Sequence, residues 1–372
     1  MSERHTPPFR AEHVGSLLRP AALRSAREQL TAGRISADEF RSIEDAAVRE
    51  VVEMQEDIGL PSITDGELPR RAWQMDFIFS ISGIEPVDGG LTVDFHGPTG
   101  TVQFSSAALR VADRLRLDET IFGEDFARLR GLVRHGTPKL TIPSPSMVHY
   151  WGGSAMLDPV YSDPEPFWAD LTAVYADEIR RLRELGCTYL QIDDTSLSYL
   201  GDPRQREHVR RIGGDPEHQH LEYIEHLNAA LAGRPADMVV TMHTCRGNFR
   251  SSWIAEGGYD FVAEALFNDL AVDGLFLEYD DERSGGFAPL RFVPPGKLVV
   301  LGLITTKRGA LDDRDAIMRR IDEAARHVPI EQLCISPQCG FSSTADGNAV
   351  TREQQIAKLR LVVEVAREVW GA

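Results

Sequence analysis

An α/β fold built as a (β/α)8 (TIM) barrel, with a β-hairpin inserted after the second strand, is the architecture that this 372-residue sequence predicts. Three observations carry it. Short β-branched runs alternate with longer amphipathic ones, the mark of parallel βαβ units. Eight strand candidates are present, the number that closes such a barrel. Acids, a histidine and thiols fall at the C-terminal ends of those strands, where a barrel gathers its chemistry. A doubly wound sheet is the rival, but no Gly-rich dinucleotide fingerprint follows the first strand. Residues 1–372 thus read as one barrel domain.

In chain order, Glu12–Gly15 is the first strand candidate. Ile43, Ala47, Val51, Met54 and Ile58 then repeat at helical spacing, and Gly59 offers a stop. Ser62–Asp65 is the second strand. From about Phe77 to Phe126 the turns DGG and HGPTG interrupt alternating apolar residues Leu91, Val93, Phe95, Val102 and Phe104, which read as the inserted hairpin. Lys139–Ile142 is the third strand. The helical face of Leu171, Val174, Tyr175, Ile179, Leu182 and Leu185 follows and ends at Gly186. Strands four to eight are Tyr189–Asp193, Met238–Met242, Gly274–Glu278, Leu298–Leu303 and Leu333–Ser336. Ile317, Ile321, Ala324 and Val328 form the helical face before the last strand, and Ile356, Leu359, Val363, Ala366 and Val369 the one after it.

Composition excludes more than it assigns. The balance of 40 Lys+Arg against 57 Asp+Glu gives a net charge of −17, which repels a phosphate backbone and argues against nucleic acid. No run of eighteen apolar residues spans a membrane, and Met1 to Arg10 lacks the apolar stretch of a signal peptide. Four cysteines are too few for a disulfide framework, so a reducing, cytoplasmic compartment is expected.

The strand ends read HVGS (His13–Ser16), TDGE (Thr64–Glu67), PSPS (Pro143–Ser146), QIDD (Gln191–Asp194), MHTC (Met242–Cys245), LEYDD (Leu277–Asp281), LITT (Leu303–Thr306) and SPQC (Ser336–Cys339). Two residues apart on one strand, His243 and Cys245 leave the same side of the chain. Glu278 ends the sixth strand and Cys339 the eighth, both near the fifth around a closed barrel, so the four can meet. One nitrogen, one oxygen and two sulfurs suit Zn²⁺, and the thiolates disfavour Mg²⁺ or Ca²⁺. The bland alternative is two separate buried thiols and a strand-capping histidine. Cys187, after a helix stop, and Cys334, inside a strand, read as core.

Asp65, Glu67, Asp193 and Asp194 either cap the following helices or face the cavity, where Glu67 and Asp193 could hold an ammonium group. The run Asp280–Arg283 reads as a solvated loop. Arg19, Arg70, Arg71 and Arg246 follow several motifs and point either to an anionic substrate group or to ordinary salt bridges. Tyr150, Trp151, Tyr161, Phe167 and Trp168 either wall the site or pack the loop after the third strand.

Taken together, HVGS, TDGE, QIDD, HTC, a distant Glu on LEY, and SPQCGF resemble the catalytic C-terminal barrel of cobalamin-independent methionine synthase, from about Arg10 to Trp370. The additional N-terminal barrel of the full-length enzymes has no counterpart here, so the chain resembles the short, single-barrel members. The resemblance implies a zinc ion on His243, Cys245, Glu278 and Cys339 that activates the acceptor thiol. It places Glu67 and Asp193 at the amino group of a homocysteine-like acceptor, and Gly15 and Ser16 near its carboxylate. The gap from Cys245 to Glu278 is longer than in the full-length enzymes. The family's QIDE-Pro is QID-Asp194-Thr195 here, and its DIHS, with a proton-donating histidine, becomes Ile304-Thr305-Thr306-Lys307. That loss withdraws support for a tetrahydrofolate donor and leaves the catalytic proton donor unassigned.

Three functions follow as expectations. The first is zinc-dependent methyl transfer to a small thiol, with a small-molecule thiol and an alkyl donor as partners. The second is a zinc-dependent thiol alkyltransferase or lyase acting on a non-methyl carbon, similar to epoxyalkane:coenzyme M transferase. The third is a non-catalytic zinc- or thiol-binding barrel, which leaves the cavity acids without a role. No exposed apolar stripe marks an interface, so homo-oligomer formation stays open.

Overall fold

The computed structural model describes residues 4–97, 100–157 and 159–371. Its strands, in chain order, are β1 (Ser62–Ile63), β2 (Ser82–Gly97), β3 (Gly100–Arg116), β4 (Thr137–Pro138), β5 (Leu140–Pro143), β6 (Tyr189–Asp194), β7 (Val239–Thr244), β8 (Gly274–Glu278), β9 (Leu298–Ile304) and β10 (Leu333–Pro337). An unbroken parallel ladder runs β5-β6-β7-β8-β9-β10, each strand beside its sequence neighbour as repeated βαβ units require. These strands are buried almost throughout, as expected of a parallel sheet covered by helices.

The remaining seams curl the sheet toward closure by less regular means. β1 pairs in parallel with β4, and the Lys139 N–H carries the join into β5 by donating to Ile63 O (2.8 Å). The first expected strand, Glu12–Gly15, is reduced to a parallel bridge one residue earlier, Ala11 against Ile335 of β10. Between residues 11–15 and β1 the seam uses side chains: Thr64 Oγ1 donates to Gly15 O (2.7 Å) and Ser62 Oγ to Glu12 Oε2 (2.7 Å). Polar side chains replace the ladder there, so a β-run is hard to see in the sequence.

The helices cover the ladder with the expected faces. Ala37–Ile58 starts on a capping box between Ser36 and Glu39 and stops at Gly59, whose φ of +85° only glycine adopts freely. Ala47, Val51, Met54 and Ile58 are buried, whereas Ile43, one turn in, is 36 % exposed. In Pro164–Glu184 the residues Leu171, Val174, Tyr175, Ile179 and Leu182 face the core. Arg314–Ala324 buries Ile317, Ile321 and Ala324, and Arg352–Trp370 buries Leu359, Val363 and Ala366. No helix among the described residues is long and apolar enough to cross a membrane.

The insertion is a long antiparallel hairpin, β2 on β3, with Val93 opposite Phe104 and Phe95 opposite Val102. Those four share one face; Thr92, Asp94, Gln103 and Ser105 on the other are exposed. Pro98 and Thr99 of the expected turn, and the side chain of Leu91, lie outside the described residues. The hairpin folds back over the barrel. His96 and Trp253 exchange two backbone hydrogen bonds (2.6 and 2.8 Å), joining β2 to the loop after β7. The rings of Phe95 and Phe104 meet Phe249 of that loop at 5.4 and 5.0 Å.

Candidate active site and metal centre

His243, Cys245, Glu278 and Cys339 converge: their donor atoms all lie within 4.8 Å of one another, and all four residues are buried. β7 supplies His243 and, just beyond its end, Cys245; β8 supplies Glu278; Cys339 follows β10. β9 runs between β8 and β10 and presents Gly302 at this level, paired with Glu278. A Cβ there would stand 2.7 Å from Gln338 Cα, so only glycine lets the Cys339 turn approach.

The Cys245 and Cys339 sulfurs are 3.4 Å apart and unbridged. That contact, in which either thiol can donate, together with burial holds the Cys245 pKa well up. The same hydrogen bond, aided by His243, holds the Cys339 thiol down. Burial opposes charge on His243, yet Asp193 Oδ1 at 3.4 Å from Nδ1, with Cys339 and Glu278, outweighs it and pushes the imidazole up to about 9. Neither carboxylate oxygen of Glu278 has a hydrogen-bond donor, although both are buried. Arg246 stands behind it, with Nη1 at 3.9 Å from Oε2 while donating to Glu278 O (3.2 Å) and Tyr259 OH (3.0 Å). Buried polar atoms without partners call for a missing partner. A cluster that pulls a proton onto its own histidine is short of positive charge, and its N, O, S, S donors fit zinc.

Ser16, Glu67 and Asp193 line the same cavity as His243, Cys245 and Cys339. Gly15 lies behind the wall; its φ is +147°, and a Cβ would stand 2.8 Å from Thr141 Cγ2 and 3.3 Å from Glu67 Oε1. Glu67 itself holds a left-handed φ of +56°. Asp65 Oδ1 fixes it by accepting the Glu67 N–H (2.8 Å), and Arg19 Nη2 donates to Glu67 O (3.0 Å). Thr141 donates to Oε1 (2.9 Å), whereas Oε2 is buried without a partner. Burial raises the Glu67 pKa, Asp193 adds to the rise, and Arg70 and Arg19 oppose it.

The paired acids separate by role. Asp193 accepts from Gln191 Nε2 (2.6 Å) and faces the cavity. Asp194 points away, accepting from Leu197 N (2.7 Å), Ser196 Oγ and Ser146 Oγ, a capping arrangement. The expected solvated loop holds only in part: Asp281 and Glu282 are exposed, but the Asp280 side chain is 1 % exposed and pairs with Arg283 Nη2 at 3.3 Å. Cys187 and Cys334 are wholly buried, and burial pushes each thiol up to about 12.

Among the described residues, no arginine singled out in the sequence lines this cavity. Arg19 is spent on Ser342, Glu67 O and Arg70 O; Arg70 on Thr141 and the Phe122 ring; Arg246 on Gly257 O, Tyr259 and Glu278 O. Arg71 is exposed. Of the aromatic stretch only Trp151 reaches the cavity, while Tyr150, Tyr161, Phe167 and Trp168 pack in the core. The roof comes instead from the hairpin: Val93, Phe95 and Phe104, with Phe249, Ile254, Trp73 and Met75. Their alternation was visible, but no local pattern says what an inserted hairpin folds onto.

The model of the "Cobalamin-independent synthase, Catalytic domain" family matches residues 143–368. An uncharacterized Bacillus subtilis protein, YxjH, is 45 % identical over 98 % of this chain and 95 % of its own length. Methionine synthase of Pyrococcus abyssi is 26 % identical over 88 % of this chain and 85 % of its own. A solved Listeria monocytogenes structure, assigned as a vitamin-B12-independent methionine synthase, superposes with a TM-score of 0.76 at 38 % identity, over 98 % of this chain and 99 % of that one. On sequence, fold and the family model together, this chain belongs to the cobalamin-independent methionine synthase family, through its catalytic domain.

Proposed function

We propose that the protein transfers a methyl group to a small, homocysteine-like thiol, with zinc held by His243, Cys245, Glu278 and Cys339. The observation that carries the proposal is the four-donor cluster with both Glu278 oxygens buried and unpartnered, opening on the cavity that also exposes Glu67 and Asp193. Bound there, zinc supplies the Lewis acidity that keeps a thiol deprotonated and nucleophilic at neutral pH. The chain's own residues do the rest. Asp193 orients the His243 ring through its contact with Nδ1. Glu67, whose Oε2 lacks a donor, and Asp193 receive the acceptor's ammonium group. Gly15 and Ser16 hold its carboxylate end, Gly15 because no side chain fits between Thr141 and Glu67. The aromatic roof excludes water and aligns the donor carbon with the sulfur. Thr306 offers no proton relay in place of the family's histidine, since its hydroxyl is committed to Gln338 Oε1 and Gly340 O.

The second function, alkylation of an anionic thiol at a non-methyl carbon, needs a cationic group at the acceptor's far end. Arg19, Arg70 and Arg246 are all occupied elsewhere, so the cavity favours the amino-acid acceptor. The test is zinc content together with complementation. Wild type is expected to hold about one zinc per chain and to let a methionine-requiring strain grow on homocysteine, and Cys245→Ser or Cys339→Ser to lose both. Zinc content unchanged in both variants would remove the metal centre. Zinc without growth on any methyl donor, alongside activity on an epoxide with an anionic thiol, would establish the second function.

A further inference from the structure

Six aromatic side chains line the site cavity: Trp73, Phe95, Phe104, Trp151, Tyr199 and Phe249. They reach it from the segments after β1, β5, β6 and β7 and from the inserted hairpin. The Phe249 ring meets Phe95 at 5.4 Å and Phe104 at 5.0 Å, and Trp151 meets Tyr199 edge to face at 6.0 Å. Trp73 and Trp151 are only half-buried, so the cavity reaches their rings.

The polar lining is one-sided. Among the described residues no lysine or arginine borders the cavity, and its charged side chains, apart from His243 of the metal cluster, are the acids Glu67 and Asp193. Asn248 borders it too. Its Nδ2 donates to Gly340 O (2.8 Å), which fixes the amide, and its Oδ1 is left without a donor. With Glu67 and Asp193 given to the acceptor's ammonium group, the donor meets rings and a bare amide oxygen. Electron-rich ring faces and acceptor atoms favour a cation, and a chain of net charge −17 draws one in.

We propose that the methyl donor is an onium ion, a sulfonium or a quaternary ammonium, with its charged centre held among these rings. The proposal rests on the methyl-transfer reading and names its donor. The acceptor thiol loses its proton to solvent, and its sulfur attacks one onium methyl. The new S–CH3 bond forms as the donor's C–S or C–N bond breaks, and that bond's electron pair stays on the donor heteroatom. Thiolate and onium both become neutral, so the departing thioether or amine takes up no proton. A neutral tertiary amine would leave as an anion and need a proton at once, whereas the Thr306 hydroxyl is committed to Gln338 Oε1 and Gly340 O. Charge disappears along the onium reaction, so a roof that excludes water favours it.

The experiment pairs each cation with its neutral carbon isostere on the zinc-loaded full-length chain. The pairs are (2-hydroxyethyl)dimethylsulfonium with 3-methyl-1-butanol, and choline with 3,3-dimethyl-1-butanol. Calorimetry gives Kd, and methionine formed from L-homocysteine gives transfer, with 5-methyltetrahydrofolate as the third donor. At least one cation is expected to bind about tenfold or more tighter than its isostere and to pass a methyl to homocysteine. Phe249→Leu should remove most of that preference while changing the isostere by less than about threefold. Phe249 also seats the hairpin, so Trp151→Leu, which leaves that contact alone, should do the same. Transfer from one cation and not the other identifies the onium. No preference for either cation, or a preference that survives both substitutions, overturns the proposal. Methyl arriving on homocysteine only from 5-methyltetrahydrofolate overturns the onium donor and leaves methyl transfer standing. Ring-dependent cation binding with methionine from none of the three donors sinks methyl transfer, and the donor role with it.

Discussion

The two ends of the barrel lumen are both charged and both sealed from water, yet they are built on opposite terms. At the N-terminal end Glu12 and Lys139 form an ion pair at 3.5 Å, with both side chains fully buried. Both Glu12 oxygens find donors, Tyr189 OH (2.8 Å) and Phe9 N (2.9 Å) on Oε1 and Ser62 Oγ (2.7 Å) on Oε2, and the bare atom beside them is the uncharged His13 Nδ1. Lys139 Nζ also donates to His13 O and sits 4.3 Å over the Phe276 ring. At the C-terminal end Glu278 keeps both oxygens bare, and Glu67 Oε2, Gln338 Nε2 and Asn248 Oδ1 are likewise unpartnered. Burying a charge is tolerable when the protein supplies its partner. One end supplies it from within; at the other the carboxylate oxygens of Glu278, and one of Glu67, have no such partner among the described residues. Charge burial alone therefore does not identify a site, but unsatisfied charge burial does.

The largest effect expected from this contrast is on stability, at the closed end. Glu12→Gln leaves the Lys139 ammonium buried without its counter-ion and should cost about 3–5 kcal/mol. Denaturant midpoints of wild type and variant, both stripped of metal, measure it. A loss under about 1 kcal/mol would mean that Tyr189, Phe276 and the His13 carbonyl suffice for Lys139, and that the closed end is not held by its ion pair.

The same contrast explains how much was legible in the residues. Strands β6 to β10 were readable because buried parallel strands leave compact apolar runs ended by polar residues, as in Met238–Met242 and Leu333–Ser336. The convergence of four donors was readable for the same reason, since His243, Cys245, Glu278 and Cys339 lie at or just beyond the ends of such runs. Glu12 and Lys139 were not, because each sits in a weak strand and the pair is made across 127 residues of chain. The roof was half legible: Val93, Phe95 and Phe104 announced an apolar face, but Phe249, which receives it, lies in a loop without periodicity. The arginines were ambiguous, readable as substrate anchors or as ordinary salt bridges. Arg19, Arg70 and Arg246 sit where a substrate anion would want them, but loops that turn back on the barrel leave carbonyls that need donors, and the arginines serve those.

A second way to sharpen the comparison is pH. His13 belongs to the closed end, with Nε2 at 3.1 Å from Ser62 O. Burial, and then the charge of Lys139, hold its pKa down to about 3. In the unfolded chain an imidazole titrates near about 6.5. Between those values the unfolded chain binds a proton that the folded one refuses. The stability tied to His13 is therefore complete above about pH 6.5 and is lost as pH falls, by about 1.4 kcal/mol per unit. His13→Gln has no such proton to bind. The stability difference between wild type and His13→Gln should accordingly shrink as pH is lowered from 7 to 4, in thermal or denaturant unfolding of the metal-free chain. A difference that stays constant over that range would show that His13 titrates as freely in the fold as outside it.

The smallest effect is expected at the open end, and its smallness is the point. Cys339 is buried and only one methyl-sized group larger than alanine, so Cys339→Ala should change the metal-free stability by about 1 kcal/mol or less. Its side-chain contact is with Cys245, across a gap of 3.4 Å that relaxes once the sulfur is gone. The same substitution should abolish metal retention, because the cluster loses one of its two soft donors. Unfolding curves with and without added zinc separate the two effects. Wild type should gain stability with zinc by mass action, and Cys339→Ala should not. If the metal-free variant instead loses as much as Glu12→Gln, then Cys339 is a core residue on the same terms as the closed end. The distinction between a self-satisfied and a ligand-awaiting half of the lumen would fail at the residue that defines it.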